Sequence, residues 1–210
     1  MPGWKHERLC LAPVVGVDEA GRGPLAGPVV AAAVILPARG VPRGLDDSKK
    51  LSAAERERLC GRLRACAVVG VGIVEAEEID TLNIHWATMK AMTLAVEGAA
   101  AALGQEPGHV LVDGNRLPRW HYRATAIVGG DGLSLSIAAA SIVAKHTRDA
   151  IMIAHADAHP HYGWHANKGY AAPAHLRALR EHGPSPLHRR SFAPVAAAVS
   201  AFGPAAHGEP

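Results

Sequence analysis

Residues 14–27 constrain this chain more than any other stretch. An apolar run, Val14-Val15-Gly16-Val17, ends on two adjacent carboxylates, Asp18 and Glu19, and Ala20-Gly21-Arg22-Gly23-Pro24-Leu25-Ala26-Gly27 follows at once. The run reads as a strand. Carboxylates at a strand end suit a hard divalent cation, which prefers oxygen ligands. The glycines let backbone approach a substrate closely, and an arginine among them favours phosphate. A metal site beside a phosphate reader points to phosphoryl chemistry. Successive strand residues face opposite sides, so a regular strand cannot aim Asp18 and Glu19 at one metal. The pleat is therefore expected to break there, with Gly21 and Gly23 placed to allow it.

Further strands are expected at Val29–Leu36, Ala67–Val74, His109–Val112 and Ala124–Val128. Ser52 and Glu55 form the S-x-x-E pattern of a capping box, which predicts a helix over Ser52–Arg64. Glu77–Leu82 reads as a short helix, Ile84–Leu103 and Ile137–Ala154 as long ones, and Pro173–Glu181 as another. Strands alternating with helices indicate an α/β layer architecture. The texture turns to His, Gly, Pro and aromatic residues beyond about residue 158. The domain reading is a catalytic unit over 1–157, a helical substrate-binding appendage over 158–202 and a disordered tail over 203–210.

At 210 residues with 49% hydrophobic content, the chain can bury a full core. No apolar run is long enough for a membrane span, and the start lacks the features of a signal peptide. Cys10, Cys60 and Cys66 show no CxxC spacing, which fits reduced thiols in a cytoplasmic protein. Charge is uneven. Residues 1–113 carry 12 Lys/Arg against 14 Asp/Glu, whereas 114–210 carry 10 against 5 and 10 of the 13 histidines. The basic second half fits contact with a polyanion, or else an ordinary solvated surface.

Acids close three apolar strands: Asp18-Glu19, Asp113 and Asp131. Open α/β sheets bind ligands beyond their strand ends, so these acids can converge there. Converging carboxylates repel unless a cation neutralises them, and a pair of magnesium ions would serve. Two nucleotide loops are excluded. Gly16 to Gly23 imitates G-x-x-x-x-G-K-[ST], but Arg22 and Gly23 replace the lysine and the hydroxyl, and two acids inside the cradle would repel an anion. The spacing of Gly21, Gly23 and Gly27 misses the dinucleotide fingerprint, and Pro24 interrupts it.

The segments Gly16 to Val29, Asp47-Ser48-Lys49-Lys50-Leu51, Val112-Asp113-Gly114, and Asp131 followed by Ala139 to Lys145 resemble bacterial ribonuclease HII, a type 2 ribonuclease H. Lys168-Gly169-Tyr170 and Ser185-Pro186-Leu187-His188-Arg189-Arg190-Ser191-Phe192 extend the likeness over roughly 14–192. The resemblance implies a ribonuclease H-like mixed sheet flanked by helices, with a C-terminal helical element. It implies endonucleolytic cleavage of RNA in RNA–DNA hybrids and at single ribonucleotides in duplex DNA, leaving 5′-phosphate and 3′-hydroxyl ends.

By the same resemblance Asp18, Glu19, Asp113 and Asp131 bind two Mg²⁺ or Mn²⁺ ions and carry catalysis. The backbone of Gly21, Arg22 and Gly23 reads the ribose 2′-hydroxyl, and Tyr170 packs on the neighbouring sugar. Lys49, Lys145 and Arg148 contact phosphates, orient the acids, or are solvated. The partner is an RNA–DNA hybrid or ribonucleotide-containing duplex, with no membrane and no organic cofactor. The protein is expected to be a cytoplasmic monomer serving ribonucleotide excision repair.

Where many relatives read His-Lys-Gly-Tyr-Gly, this chain has Asn167-Lys168-Gly169-Tyr170-Ala171. Ser141 reads as a packing residue or a donor to a substrate backbone, and His146 as a packed or site-facing histidine. His155, His159, His161 and His165 lack the glutamate of HExxH and a nearby thiol, so a zinc site is not expected. Trp120, Tyr122, Tyr162 and Trp164 read as core or rim residues, with base stacking as the alternative. Two other classes remain open on the sequence: a nucleotide-binding phosphotransferase, and a non-catalytic hybrid binder with structural acids.

Overall fold

The five strands are β1 (Val14–Ala20), β2 (Val29–Ile35), β3 (Val68–Val74), β4 (His109–Asp113) and β5 (Ala124–Ile127). They form one sheet in the order β3-β2-β1-β4-β5. β1 pairs antiparallel with β2 and parallel with β4; β3 is antiparallel to β2, and β5 parallel to β4. The computed structural model describes residues 1–202, so the expected tail over 203–210 lies outside the described residues.

Alternation along β1 and β2 sends side chains to two cores. Val15, Val17, Ala31 and Ala33 pack on one face with Ala91, Ala95 and Ala99 of helix α2 (Ala76–Leu103). Ala32 and Val34 pack on the other with Leu59 and Leu63 of α1 (Ala53–Cys66) and Ala139 to Ala144 of α3 (Leu135–Ala156). α1 starts at the expected capping box, in which the Ser52 side chain accepts from Glu55 N–H and Glu55 reaches back to Ser52. Asn83 interrupts α2 at φ +64°, and its side chain accepts the N–H groups of His85 (3.0 Å) and Trp86 (3.3 Å). The break falls in the gap between the two helices expected there. Asparagine tolerates this left-handed conformation and recaps the second segment.

α3 lies against β1 because Gly16 has no side chain: a Cβ there would come within 2.1 Å of the Ser136 carbonyl carbon. The Glu7 carboxylate anchors its first turn, accepting from Ser134 Oγ (2.7 Å), Ser136 N (2.9 Å) and Ser136 Oγ (2.9 Å). After it come the single turn α4 (Trp164–Asn167), α5 (Pro173–His182) and α6 (Ala193–Phe202). This last segment returns to the glycine loop: Ala26 bridges His188, Leu25 N–H bonds the Gly169 carbonyl, and Gly27 N–H bonds that of Leu187. No described helix is long and apolar enough to cross a membrane.

Candidate active site

The pleat does not break at the acid pair. β1 stays in register with β2 through Asp18↔Ala32, Glu19↔Ala31 and Ala20↔Val30. The ladder to β4 instead stops at Val17↔Val112, which opens the other side of β1. Asp18 lies toward Ser141 of α3, in a cleft of about 490 Å³ that also holds Gly21, Arg22, Gly23 and Tyr170. Glu19 lies toward Met89 and Met92 of α2, in an adjoining lobe of about 580 Å³ shared with Asp113. The two acids thus straddle the sheet end, and Asp113, the last residue of β4, is close enough to act electrostatically on both.

The carboxylates act on one another electrostatically. Burial, then Glu19 and Asp113, push the Asp18 carboxyl well above its ordinary range, against the Glu19 N–H (2.7 Å) and the nearby Ser141 hydroxyl. Burial and Asp113 raise Glu19, although the Arg22 guanidinium (3.5 Å) opposes them. Burial, Asp113 and Asp47 raise Asp131 against Lys49. Asp113 accepts the Gly130 N–H (2.7 Å), which ties it to the turn carrying Asp131. Among the described residues, no three His, Cys, Asp or Glu side chains are already closed around a metal-sized point. The chemistry of the set nevertheless fits hard divalent cations: the donors are all oxygen, and a positive charge would reverse the repulsion that raises three of them.

Lys49 faces this cluster with Nζ 3.7 Å from Asp131 Oδ2. Partial burial opposes its charge, but Asp131, Asp47, Asp18 and Asp113 together hold the ammonium above its ordinary range. Lys145 bonds Asp149 (2.8 Å) and lies 5.4 Å from the Tyr170 ring, which is exposed to the cleft. Ser141 Oγ sits 2.8 Å from Ser48 Oγ, beneath the Asp-Ser-Lys segment.

Arg148 is neither solvated nor free for phosphate. It is fully buried and donates to the carbonyls of Pro28 (3.1 Å), Lys168 (2.9 Å) and Ala26 (3.1 Å). Gly21 adopts φ +94°, and a Cβ there would strike Arg148 Nε at 2.1 Å. Sequence reasoning assigned no role to Arg189, which is also fully buried and clamps the same loop. It donates to the carbonyls of Gly21 (2.6 Å), Arg22 (2.9 Å), Gly27 (2.9 Å) and Pro28 (3.0 Å). With those carbonyls occupied, the N–H groups of Arg22 and Gly23 carry no hydrogen bond among the described residues.

A second unassigned element holds Tyr170. His175 Nδ1 donates to the Tyr170 carbonyl (2.8 Å), and its Nε2 accepts from His188 Nε2 (2.9 Å). His188 Nδ1 in turn accepts from Ser185 N (3.0 Å) and Oγ (2.9 Å). Each ring needs one bare nitrogen, so both are neutral. Burial, reinforced by His175, pushes His188 down to about 3. Asn167 secures the loop from the other side, with Nδ2 donating to the Tyr162 carbonyl (2.7 Å) and Oδ1 accepting from Gly169 N (2.8 Å). The long-range signal for these residues is their burial, which local sequence pattern does not display.

Trp164 and Tyr162 are core residues, and Trp120 and Tyr122 pack against the α2-side core. His146 is half-buried and lines a groove beyond Tyr170. His165 bonds Asp157 (2.9 Å), and the four clustered histidines do not assemble a metal set among the described residues.

A family model described as Ribonuclease HII matches residues 15–195. A protein named Ribonuclease HII from Rhizorhabdus wittichii is 65% identical over 184 residues, 88% of this chain and 89% of that one. Another of that name, from Erythrobacter litoralis, is 61% identical over 87% of this chain and 88% of its own. The crystal structure of ribonuclease H2 from Pyrococcus horikoshii superposes with a TM-score of 0.69 at 26% identity, covering 90% of this chain and 98% of that one.

Proposed function

Since the chain belongs to the ribonuclease HII family and is a ribonuclease H acting on RNA–DNA hybrids, we propose that it also cuts at single ribonucleotides embedded in duplex DNA. The reading has the strand hydrolysed with two divalent ions and left with 5′-phosphate and 3′-hydroxyl ends. One observation carries it: the clamped glycine loop shares adjoining lobes of one cleft with Asp18, Glu19 and Asp113, and Lys49 on the cleft wall reaches Asp131. A loop that would recognise a ribose therefore lies beside carboxylates that would act on its phosphate, with Ala20 alone between Glu19 and Gly21.

Asp18, Glu19, Asp113 and Asp131 would hold Mg²⁺ or Mn²⁺. Bound there, the ions would supply a water made nucleophilic for in-line attack and charge neutralisation at the leaving 3′-oxygen. The chain supplies the rest. Arg189 fixes the carbonyls of Gly21 and Arg22, so the N–H groups of Arg22 and Gly23 are free to meet the 2′-hydroxyl that separates RNA from DNA. Tyr170 offers its exposed ring to the sugar that follows, and its backbone is held by His175. Lys49 and Lys145 stand at the cleft wall as phosphate contacts. A cytoplasmic monomer working in ribonucleotide excision repair is the setting that fits such an activity.

The test is a DNA duplex with one ribonucleotide, incubated with Mg²⁺ or Mn²⁺. Cutting on the 5′ side of that ribonucleotide is expected, and an all-DNA duplex should stay whole. An uncut ribonucleotide duplex under both metals rejects the proposal. An Asp18→Asn variant that still cuts rejects the catalytic role of the acids.

A further inference from the structure

The cleft continues past the carboxylates on the side away from Tyr170. The lobe that holds Glu19 and Asp113 also holds Arg116 and Met89, and Met89 lines the neighbouring shelf as well. That shelf carries Trp86 and Arg119. Trp86 is 42% exposed, and the Arg119 guanidinium lies 5.0 Å over its ring. The Asn83 cap creates this surface, because α2 restarts there with Trp86 in its first turn.

Charge gives the shelf its character. Arg116 and Arg119 are exposed, and neither forms an ion pair among the described residues. The nearby acid Glu78 is already taken by Lys90. Two exposed guanidinium groups without ion-pair partners are free to take backbone phosphates that the neighbouring carboxylates alone would repel. An exposed indole alongside adds a flat face for a sugar or base, the combination used to track a nucleic-acid backbone.

We propose that Arg116, Arg119 and Trp86 bind the part of the cleaved strand that lies 5′ of the scissile phosphate, the part that departs with the 3′-hydroxyl. The inference rests on the functional reading above. The glycine loop and Tyr170 take the ribonucleotide and the residue after it, so the strand reaches the acids from the opposite lobe. Each arginine takes one backbone phosphate of that incoming segment, and Trp86 packs on the sugar between or beyond them. Product release then includes peeling this segment from the shelf.

The experiment uses full-length protein and two duplexes, each holding one ribonucleotide. One has long DNA on both sides; the other is truncated to a stub on the 5′ side. Binding is read by fluorescence anisotropy across a salt series without divalent ions, and cleavage is measured separately with them. For the Arg116→Gln, Arg119→Gln double variant on the long duplex, log affinity against log salt should flatten by about 1.8, at about 0.9 for each phosphate no longer neutralised. The difference from wild type should vanish on the 5′-truncated duplex. Trp86→Ala should weaken binding of the long duplex without changing the slope. All three side chains are exposed, and unchanged melting temperatures check that the variants are folded.

A double variant with the wild-type slope overturns the inference. So does an equal loss on both duplexes, because the arginines would then not act 5′ of the cut. In both cases wild type still cuts, so the functional reading survives. Wild type that cuts neither duplex rejects that reading and this inference with it.

Discussion

Replacing Asp18 by asparagine should abolish cleavage and yet stabilise the metal-free protein. Asp18 is 5% exposed and shares its surroundings with Glu19 and Asp113, and burial with these two charges raises its carboxyl. A carboxyl raised in the folded state binds protons more tightly there than in the unfolded chain. Its ionised form therefore costs stability above the ordinary carboxylate range of about 4 and costs nothing below it. Unit charges 4 Å apart repel by about 4 kcal/mol at an effective dielectric of 20, which sets the upper scale. Asparagine keeps an oxygen for the Glu19 N–H but brings an amide that must find acceptors, a burden of about 1–3 kcal/mol if it fails. The carboxylates of Glu19 and Asp113 are candidates to accept it.

A net gain of about 1–2 kcal/mol at pH 7 follows, in line with exchanges that relieve functional sites. At about 2–4 °C per kcal/mol for a chain of this size, the melting temperature in EDTA should rise by about 2–8 °C. The gain should disappear below about pH 4. Mn²⁺ should reverse the order: at a hundred times its dissociation constant it adds about 2.7 kcal/mol to wild type, and less to a variant missing one ligand. Thermal unfolding in EDTA and in Mn²⁺, at pH 7 and pH 4, checks every arm. A variant that melts below wild type in EDTA at pH 7, with its secondary structure intact, refutes the claim that the cluster is strained by its own charge.

Three further outcomes test the supports around the acids. Gly21→Ala forces a side chain into positive φ, costing about 1–2 kcal/mol, and drives it into Arg148 at 2.1–2.3 Å. Melting should fall by more than the backbone cost alone, and combining it with Arg148→Ala should cost less than the sum of the two; strict additivity in that double-mutant cycle would show that the clash is not with Arg148. Lys49→Met removes a positive charge that favours ionised Asp131, so the acid limb of the pH–rate profile should move to higher pH, and an unmoved limb counts against the coupling. His188 is held down to about 3, so the unfolded chain gains a proton near pH 6.5 that the fold refuses. Its stabilising contribution is present above pH 6.5 and falls as pH drops toward 3, by about 1.4 kcal/mol per pH unit. His188→Gln should flatten the acid side of a stability–pH curve by that slope, and an unchanged slope would show that the ring is already charged.

The four acids were legible because each closes an apolar run, and parallel pairing of β4 with β1 and β5 brings such ends together. The sheet, the capping box at Ser52 and the gap at Asn83 were legible for the same reason: hydrophobic period and capping chemistry act within a few residues. The expected break in the pleat failed although its premise was sound. Asp18 and Glu19 do face opposite sides, but where β4 stops is a long-range fact, and that stop gives both side chains a common opening. Arg148 misled in a comparable way. Read locally, a basic residue on a helix is a surface cation; in the fold it satisfies carbonyls 20 to 122 positions away.

Arg189 carries this furthest, because its partners Gly21 and Arg22 lie 168 and 167 positions earlier. The loop 21–28 leaves the sheet with its carbonyls turned inward, and buried carbonyls require donors. Two buried guanidinium groups provide them, each desolvated enough to have its pKa depressed, Arg189 to about 9. A buried cation with no carboxylate within bonding distance is tolerated only where several carbonyls converge on it. The glycine loop and the C-terminal segment therefore stabilise each other's least favourable groups. The buried hydrogen bonds of each segment are completed by the other, so the surface that would read a ribose is built from residues at both ends of the chain.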